Sequence, residues 1–176
     1  TIDLQAKGGV VAKTDAHMLG GVLDLRELEV CDIMVHRTKM TSIDLADEIE
    51  ETVGKVLKSG HTRIPVWKDT PDNIIGVLHA KNLFAALQKV GGDVRKLDLE
   101  SILTPAWFVP DTRQIPDQLN AFLKRKTHFA IVVDEYGEVQ GLITLEDIIE
   151  EIVGDIKDEH DAVASGVRQK PDGSFL

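Results

Sequence analysis

The sequence predicts an α/β (α+β) fold made of two copies of one small unit, on three observations. First, strand-like and helix-like patterns follow the order strand–helix–strand–strand–helix, and this order occurs twice. Second, Gly76 and Gly141 occupy the same place in the two copies, 65 positions apart. Third, 43% of the 176 residues are hydrophobic, which suffices for a folded core. Because a unit of about 60 residues is marginally stable alone, we expect the copies to pack sheet to sheet.

The first copy opens with a helix pattern in which apolar residues recur at steps of three and four, and Gly60 is placed to end that helix. The remaining segments alternate β-like runs with turn-forming composition. In order, the patterns are a helix over 44–59, a strand over 63–67, a turn over 68–73, a strand over 74–78 and a helix over 81–87.

The second copy repeats this order. Pro116 suits the first turn of its first helix, because a proline needs no hydrogen-bond acceptor there. The predicted elements are a strand over 106–109, a helix beginning near 116, a strand over 128–133, a turn over 134–138, a strand over 139–143 and a helix over 144–153.

The flanks differ from the repeats. Residues 1–20 show little periodicity and are interpreted as a linker arm, with a short amphipathic helix predicted over 19–28. Residues 155–161 are predicted to form a polar linker, and residues 166–176 resemble a hairpin cut short at a Pro-Asp-Gly turn. The predicted division is a linker arm, two repeats, and a linker that leads into a truncated C-terminal domain. The corresponding ranges are 1–20, 21–92, 93–155 and 156–176.

Charge and composition exclude several classes of function. The net charge of −10 argues against broad binding to nucleic acid or to an anionic lipid surface. The sequence has no apolar run near the ~20 residues that a membrane helix needs. Cys31, the single cysteine, cannot form an internal disulfide, which fits a reducing compartment. No zinc-ligand spacing, Walker loop or nucleophile–base pair is present, so we expect neither a protein metal site nor an enzyme.

The tetrad 144–147, Thr-Leu-Glu-Asp, stands at a predicted strand-to-helix junction. The amides and dipole at a helix start attract a phosphate, and the Asp147 carboxylate can accept hydrogen bonds from the two hydroxyls of a ribose. The alternative is a capping arrangement in which Thr144 caps the helix and an acid reaches back to it. The tetrad alone favours the cap, whereas the tetrad within the repeat favours a nucleotide site.

Four stretches resemble the CBS-domain (Bateman) family, and more narrowly the CBS pair of CorC/HlyC-type, hemolysin-related magnesium and cobalt efflux proteins. They are DIMVHR at 32–37, TRIPV at 62–66, GLITLED at 141–147 and TLEDIIEEIVGD at 144–155. The resemblance implies a tandem CBS-domain pair that follows a membrane domain on the cytoplasmic side of the plasma membrane and forms a homodimer. It also implies a regulatory module that binds AMP or ATP, with Mg²⁺ carried on the phosphates if ATP is the ligand. The alternative is a structural dimerisation module that binds no nucleotide.

The resemblance assigns roles to residues of both copies. Thr144 and Asp147 match residues that contact phosphate or ribose, and Val35 departs from the family pattern, in which a hydroxyl is common. The other matching positions are Met40 (pocket lining), His61 and Thr62 (base) and His128 (phosphate). Arg63 and Arg37 are the nearest candidate cations. For His61 and His128 the alternative is an ordinary histidine at a strand edge, and for Arg63 a surface position.

A second, weaker site is predicted in the first copy. His79 and Asn82 stand where the second copy has Thr144 and Asp147. An asparagine can still bond a hydroxyl, although without the added strength of a charge. The sequence therefore predicts one good nucleotide site per pair. The acidic residues over 146–161 are interpreted as a solvated face, and Trp67, Trp107 and Phe108 as core or interface residues.

Overall fold

The computed structural model of the chain describes residues 27–163. The predicted arm over 1–20 and the hairpin over 166–176 lie outside the described residues, as does nearly all of the helix predicted over 19–28. The helices and strands follow one another as two similar series. They are α1 (Val30–Ile33), β1 (Val35–His36), β2 (Ile43–Asp44), α2 (Ile49–Ser59), β3 (Arg63–Lys68), β4 (Thr70–His79), α3 (Ala80–Lys89), β5 (Phe108–Pro110), α4 (Ile115–Arg125), β6 (Phe129–Val133), β7 (Val139–Thr144) and α5 (Leu145–Val163).

The first helix of the first copy is shorter than predicted. It begins at Ile49 rather than at 44, because Ile43 and Asp44 are extended and pair in parallel with Val66 and Trp67 of β3. The end of this helix is confirmed. Gly60 has a φ of 69° and a ψ of 2°, the left-handed conformation that glycine adopts without strain.

The turn predicted over 68–73 is wrong for most of its length. The chain reverses around Asp69, whose φ is 74°, and β4 already begins at Thr70. Asn73 then donates a hydrogen bond from its side chain to the carbonyl of Lys68, 2.8 Å away. Residues 68–73 are polar because they are exposed at the far end of a long hairpin, and most of them are strand residues.

The polar linker predicted over 155–161 is also wrong, because α5 continues through Val163. No proline interrupts the chain there, and Gly154 is tolerated inside the helix. The turn over 134–138, in contrast, is confirmed. Asp134 accepts hydrogen bonds on Oδ1 from the amides of Tyr136 and Glu138, both at 2.9 Å.

The chain divides into two compact units. The described part of the three-helix unit comprises residues 27–33, Arg113–Thr127 and residues 145–163, so its elements are α1, α4 and α5. Within it, the amide of Val30 donates to Arg113 at 2.8 Å and that of Ile115 donates to Leu28 at 2.9 Å. These two bonds tie the chain before α1 to the chain that enters α4.

The two-sheet unit comprises Met34–Thr112 and His128–Thr144. One sheet has the strand order β1-β7-β6-β5 and the other the order β2-β3-β4. A buried cluster joins Ile74 and Val77 of β4 to Ile131 of β6 and Val139 of β7, so the two sheets pack face to face as predicted. Trp67 lies against this inter-sheet cluster, whereas Phe108 is 45% exposed.

In each sheet, the strand that carries the glycine holding the same place in both copies pairs with the segment that leads into the other copy. Val35 pairs with Leu142 in the second copy, and Thr104 pairs with Val77 in the first. A glycine accepts this close approach in both places. A Cβ at Gly76 would lie 2.9 Å from the Thr104 carbonyl oxygen, and a Cβ at Gly141 would meet the Val35 carbonyl oxygen.

These two crossing pieces are of unequal length. The first entry segment runs from Val35 to Ile43, and the second entry segment runs from Thr104 to Val109. Ile43 pairs with Val66, the residue that also pairs with Gly76. Val109 pairs with Val132, the residue that also pairs with Gly141. The first contains nine residues and the second six, and the extra length forms a 3₁₀ helix over Arg37–Lys39.

Candidate functional site

Two strand-to-helix turns hold equivalent places in the two copies. The first turn joins β4 to α3 at His79, and the second turn joins β7 to α5 at Thr144. His79 pairs with Arg63 at the start of β3, and Thr144 pairs with Phe129 at the start of β6. The strand registers therefore make His79 the counterpart of Thr144, as the sequence predicts.

The second turn carries hydroxyl and acidic groups. Thr144 is half-buried at the end of β7, and Asp147 is half-buried in the first turn of the 19-residue helix α5. Glu146 beside it is exposed, and so is His128, which immediately precedes β6. A hydroxyl at a helix start and a carboxylate one turn further on suit a phosphate and a ribose diol, respectively.

The first turn carries basic groups. The start of β3 is tied to it, because the carbonyl of Thr62 accepts the amide hydrogen of Ala80 at 2.9 Å. His79 has no hydrogen bond from its side chain to the helix start. Burial lowers the pKa of His79, and the nearby positive charges of Arg63 and Lys81 lower this pKa further.

The predicted base-contacting residues lie beside the first turn by backbone pairing. His61 is exposed, and its amide donates to the Ser59 hydroxyl at 3.1 Å. Thr62 is exposed and Arg63 is half-buried, both next to His79. Asn82, in the first turn of α3, is half-buried and helps to line a cavity of about 310 Å³ with Ala85, Ala86, Lys89 and Ile102.

Val35 and Met40 lie at the two ends of the 3₁₀ turn in the first entry segment. Val35 is half-buried and pairs with Leu142, two residues before Thr144. Met40 is half-buried and contacts the inter-sheet cluster, against which Leu142 also packs. These apolar side chains could line one wall of a pocket for a flat, weakly polar group such as a purine.

The hydroxyl that Val35 lacks is present in the other copy. Thr104 holds the equivalent place, and its Oγ1 lies 3.3 Å from the carbonyl of Val77. Sequence reasoning missed this residue, because the equivalence rests on strand register. It also missed Asp72, whose carboxylate bonds to Val139, since the polar residues around Asp72 were assigned to a turn.

The described residues add two negative findings. No group of three or more His, Cys, Asp or Glu side chains among them is arranged to hold a metal ion. Within the same residues, no helix has the length and apolar character needed to cross a membrane.

Comparison with known proteins places this geometry in a family. The family described as "CBS domain" matches residues 30–89 and again residues 99–154. The chain is 40% identical to the magnesium and cobalt efflux protein CorC of Pasteurella multocida, over 86% of this chain and 50% of that protein. The chain thus spans about half the length of the curated relatives it matches.

Two solved structures are similar over most of the described residues. The CBS domain of a bacterial CNNM/CorC family Mg²⁺ transporter in complex with ATP matches at 36% identity and a TM-score of 0.72, covering 80% of this chain and 98% of that one. A CBS-domain pair with bound AMP from Klebsiella pneumoniae matches at 32% identity and a TM-score of 0.63, covering 73% and 100%. This chain therefore belongs to the CBS-domain family and carries a tandem pair of CBS domains whose homologues include the CorC proteins.

Proposed function

We propose that this chain is a regulatory module that binds AMP or ATP within a CorC-like magnesium and cobalt efflux protein or a hemolysin-related membrane protein. The observation that carries the proposal is the second turn, where Thr144 ends a strand and Asp147 lies in the first turn of a long helix. Similar CBS domains with ATP or AMP bound support the choice of ligand.

The residues present fit the parts of a nucleotide. The start of α5 with Thr144 would hold a phosphate, and Asp147 would accept hydrogen bonds from the ribose hydroxyls. Val35 and Met40 would line the base, His128 would face the phosphates, and Mg²⁺ would accompany ATP on those phosphates. His61, Thr62 and Arg63 lie beside the first turn by backbone pairing, so their contact with this nucleotide stays a prediction.

The first turn lacks the acid that a ribose requires. Asn82 replaces the carboxylate there, and His79 replaces the hydroxyl of Thr144. We therefore infer one good site per pair, with any binding at His79 and Asn82 much weaker.

Regulation follows if the nucleotide favours one arrangement of the module over another, which requires a difference in affinity between the two arrangements. We infer that the module acts as a homodimer on the cytoplasmic side of the membrane, as part of a protein with its own membrane domain. Ile149 and Val153 lie four residues apart on one face of α5 and are 46% and 47% exposed, and this apolar pair supports self-association.

Calorimetric titration with AMP, ADP and ATP, with and without Mg²⁺, tests the proposal. We expect saturable binding of one nucleotide per chain and no release of ADP from ATP. In a parallel thermal shift, ligand at 100 times its Kd should stabilise the fold by about 2.7 kcal/mol. Absence of both binding and stabilisation would leave the structural dimerisation module as the function, and two equal sites would contradict the assignment to the second turn.

A further inference from the structure

Three groups from separate parts of the two-sheet unit meet at the start of β7. The amide of Val139 donates to Asp72 Oδ1 at 3.0 Å, and Arg37 Nη1 donates to the carbonyl of Val139 at 2.9 Å. Arg37 Nη1 also lies 3.4 Å from Asp72 Oδ1, which closes the triangle. We call Arg37, Asp72 and the backbone of Val139 the Arg37–Asp72 clamp.

The clamp holds the first entry segment at its centre. Arg37 directly follows β1, and its carbonyl accepts the amide hydrogen of Met40 at 3.3 Å. Fixing Arg37 therefore fixes the turn between Val35 and Met40, the two residues proposed to line the base. Asp72 reaches this point from the β3–β4 hairpin of the first copy.

The clamp belongs to one copy only. The second entry segment, Thr104–Val109, contains no charged residue that could act as Arg37 does. Its shorter span also leaves out the 3₁₀ turn that presents Arg37 in the first segment. The clamp thus lies on the entry segment that pairs with β7, the strand that ends at Thr144.

Its stabilising effect on the fold is expected to be modest. Arg37 and Asp72 have side chains 37% and 42% exposed, and ion pairs of this kind contribute little to stability. Their hydrogen bonds nevertheless go to a backbone that is buried, because Val139 is 1% exposed beside an irregularity in the β6–β7 pairing. Such bonds specify where the strand start lies relative to the hairpin and the entry segment.

We propose that Asp72 is a positioning residue for the nucleotide site: it holds Arg37 against Val139, and this sets the geometry of Val35 and Met40. The inference rests on the proposed function. Asp72 acts through Arg37 and the entry segment, without contact to the ligand.

The test compares Asp72→Ala and Asp72→Asn with the unsubstituted chain in calorimetric titrations with ATP and AMP. We expect Asp72→Ala to weaken binding about three- to tenfold, as coupled sites of this kind do, and Asp72→Asn to weaken it less, since its amide oxygen still accepts from Val139. Asp69→Asn is the matched control. It removes one charge from the same hairpin at an exposed residue whose φ of 74° asparagine tolerates, and it should leave the Kd unchanged.

Two further variants separate positioning from general weakening of the fold. Leu99→Ala creates a cavity in the core of the first copy, where Leu99 is 7% exposed, and should lower the melting temperature with no change in Kd. Arg37→Met should weaken binding as Asp72→Ala does, and the double variant should be no weaker than either single one. Separate, additive losses would show that Arg37 contacts the ligand itself and would overturn the proposal.

Hydrogen exchange provides a readout that needs no ligand. In Asp72→Ala the amides of Val139 and Met40 should exchange faster, whereas those of α2 should not change. A chain that binds neither nucleotide would refute the proposed function. A chain that binds them with the same Kd in Asp72→Ala, or whose Met40 amide keeps its exchange rate, would refute the positioning role alone.

Discussion

The first and second turns show one backbone arrangement with two opposite chemistries. Each joins the last strand of a copy to its closing helix, and each lies opposite the first residue of the preceding strand. The first turn reads His-Ala-Lys-Asn at 79–82 and faces Arg63, while the second reads Thr-Leu-Glu-Asp at 144–147 and faces Phe129. Duplication of the fold therefore preserves the place for a ligand, and the side chains decide whether a ribose-phosphate fits it.

The copies differ in their entry segments as well. The segment that pairs with the second copy is three residues longer and carries the Arg37–Asp72 clamp, whereas the segment that pairs with the first copy carries Thr104. The longer entry segment and the Arg37–Asp72 clamp thus both lie beside β7, the strand that ends at the proposed nucleotide site. The following predictions test this asymmetry, from the largest expected effect to the smallest.

Gly141→Ala should destabilise the fold most. Its Cβ would meet the carbonyl oxygen of Val35, a backbone atom that cannot move without breaking the β1–β7 pairing. We expect a loss of about 3 kcal/mol or more in the free energy of unfolding, measured in urea.

Gly76→Ala, with its Cβ 2.9 Å from the Thr104 oxygen, should lower the free energy of unfolding by less. Gly54→Ala, in a helix with open space around it, should instead stabilise by about 1 kcal/mol. Equal losses at Gly76 and Gly141 would show that the two crossings are equivalent.

Asp147→Ala should remove most of the difference in nucleotide affinity between the second turn and the first. Loss of a charged hydrogen-bond acceptor for the ribose costs about 1.5–3 kcal/mol, so the Kd for AMP or ATP should rise about ten- to a hundredfold. Asn82→Ala, at the equivalent position of the first turn, is the control and should leave the Kd within twofold. Calorimetry on both variants decides the matter, and a larger effect of Asn82→Ala would move the site to the first copy.

The double variant His79→Thr with Asn82→Asp gives the first turn the chemistry of the second. We expect a second, weaker binding event, with a Kd about tenfold higher than at the second turn, because the first turn lacks the long entry segment. Titration should show the stoichiometry rise from one towards two. A stoichiometry that stays at one would mean that the entry segments, more than the turns, determine where the nucleotide binds.

The sequence predicted those features that depend on local chemistry. The helix end at Gly60 and the hairpin turn at Asp134 follow from local composition, and the equivalence of His79 and Thr144 follows from the repeat. It failed where tertiary contacts decide the outcome. Asp72 and its neighbours have a turn-like composition, yet they extend a strand because the hairpin reaches across to Val139. The sequence also did not predict that each entry segment pairs with a strand of the other copy, because that pairing depends on long-range strand register.

The smallest effect concerns His79 and pH. Its pKa is lowered in the folded chain by burial and by Arg63 and Lys81, so the folded state binds its proton less readily than the unfolded state does. His79 therefore contributes stability that is fully present above the ordinary histidine pKa of about 6.5 and is lost as the pH falls through the lowered folded value. Replacing His79 by glutamine should flatten this part of the stability profile, measured by urea unfolding between pH 5 and pH 8 (a range of about three units). His128→Gln, at an exposed position beside the acidic second turn, is the control and should keep the slope due to His79. An unchanged profile in the His79 variant would show that the basic groups around the first turn are too well solvated to affect one another, and the electrostatic contrast between the two turns would then rest on Asn82 and Asp147 alone.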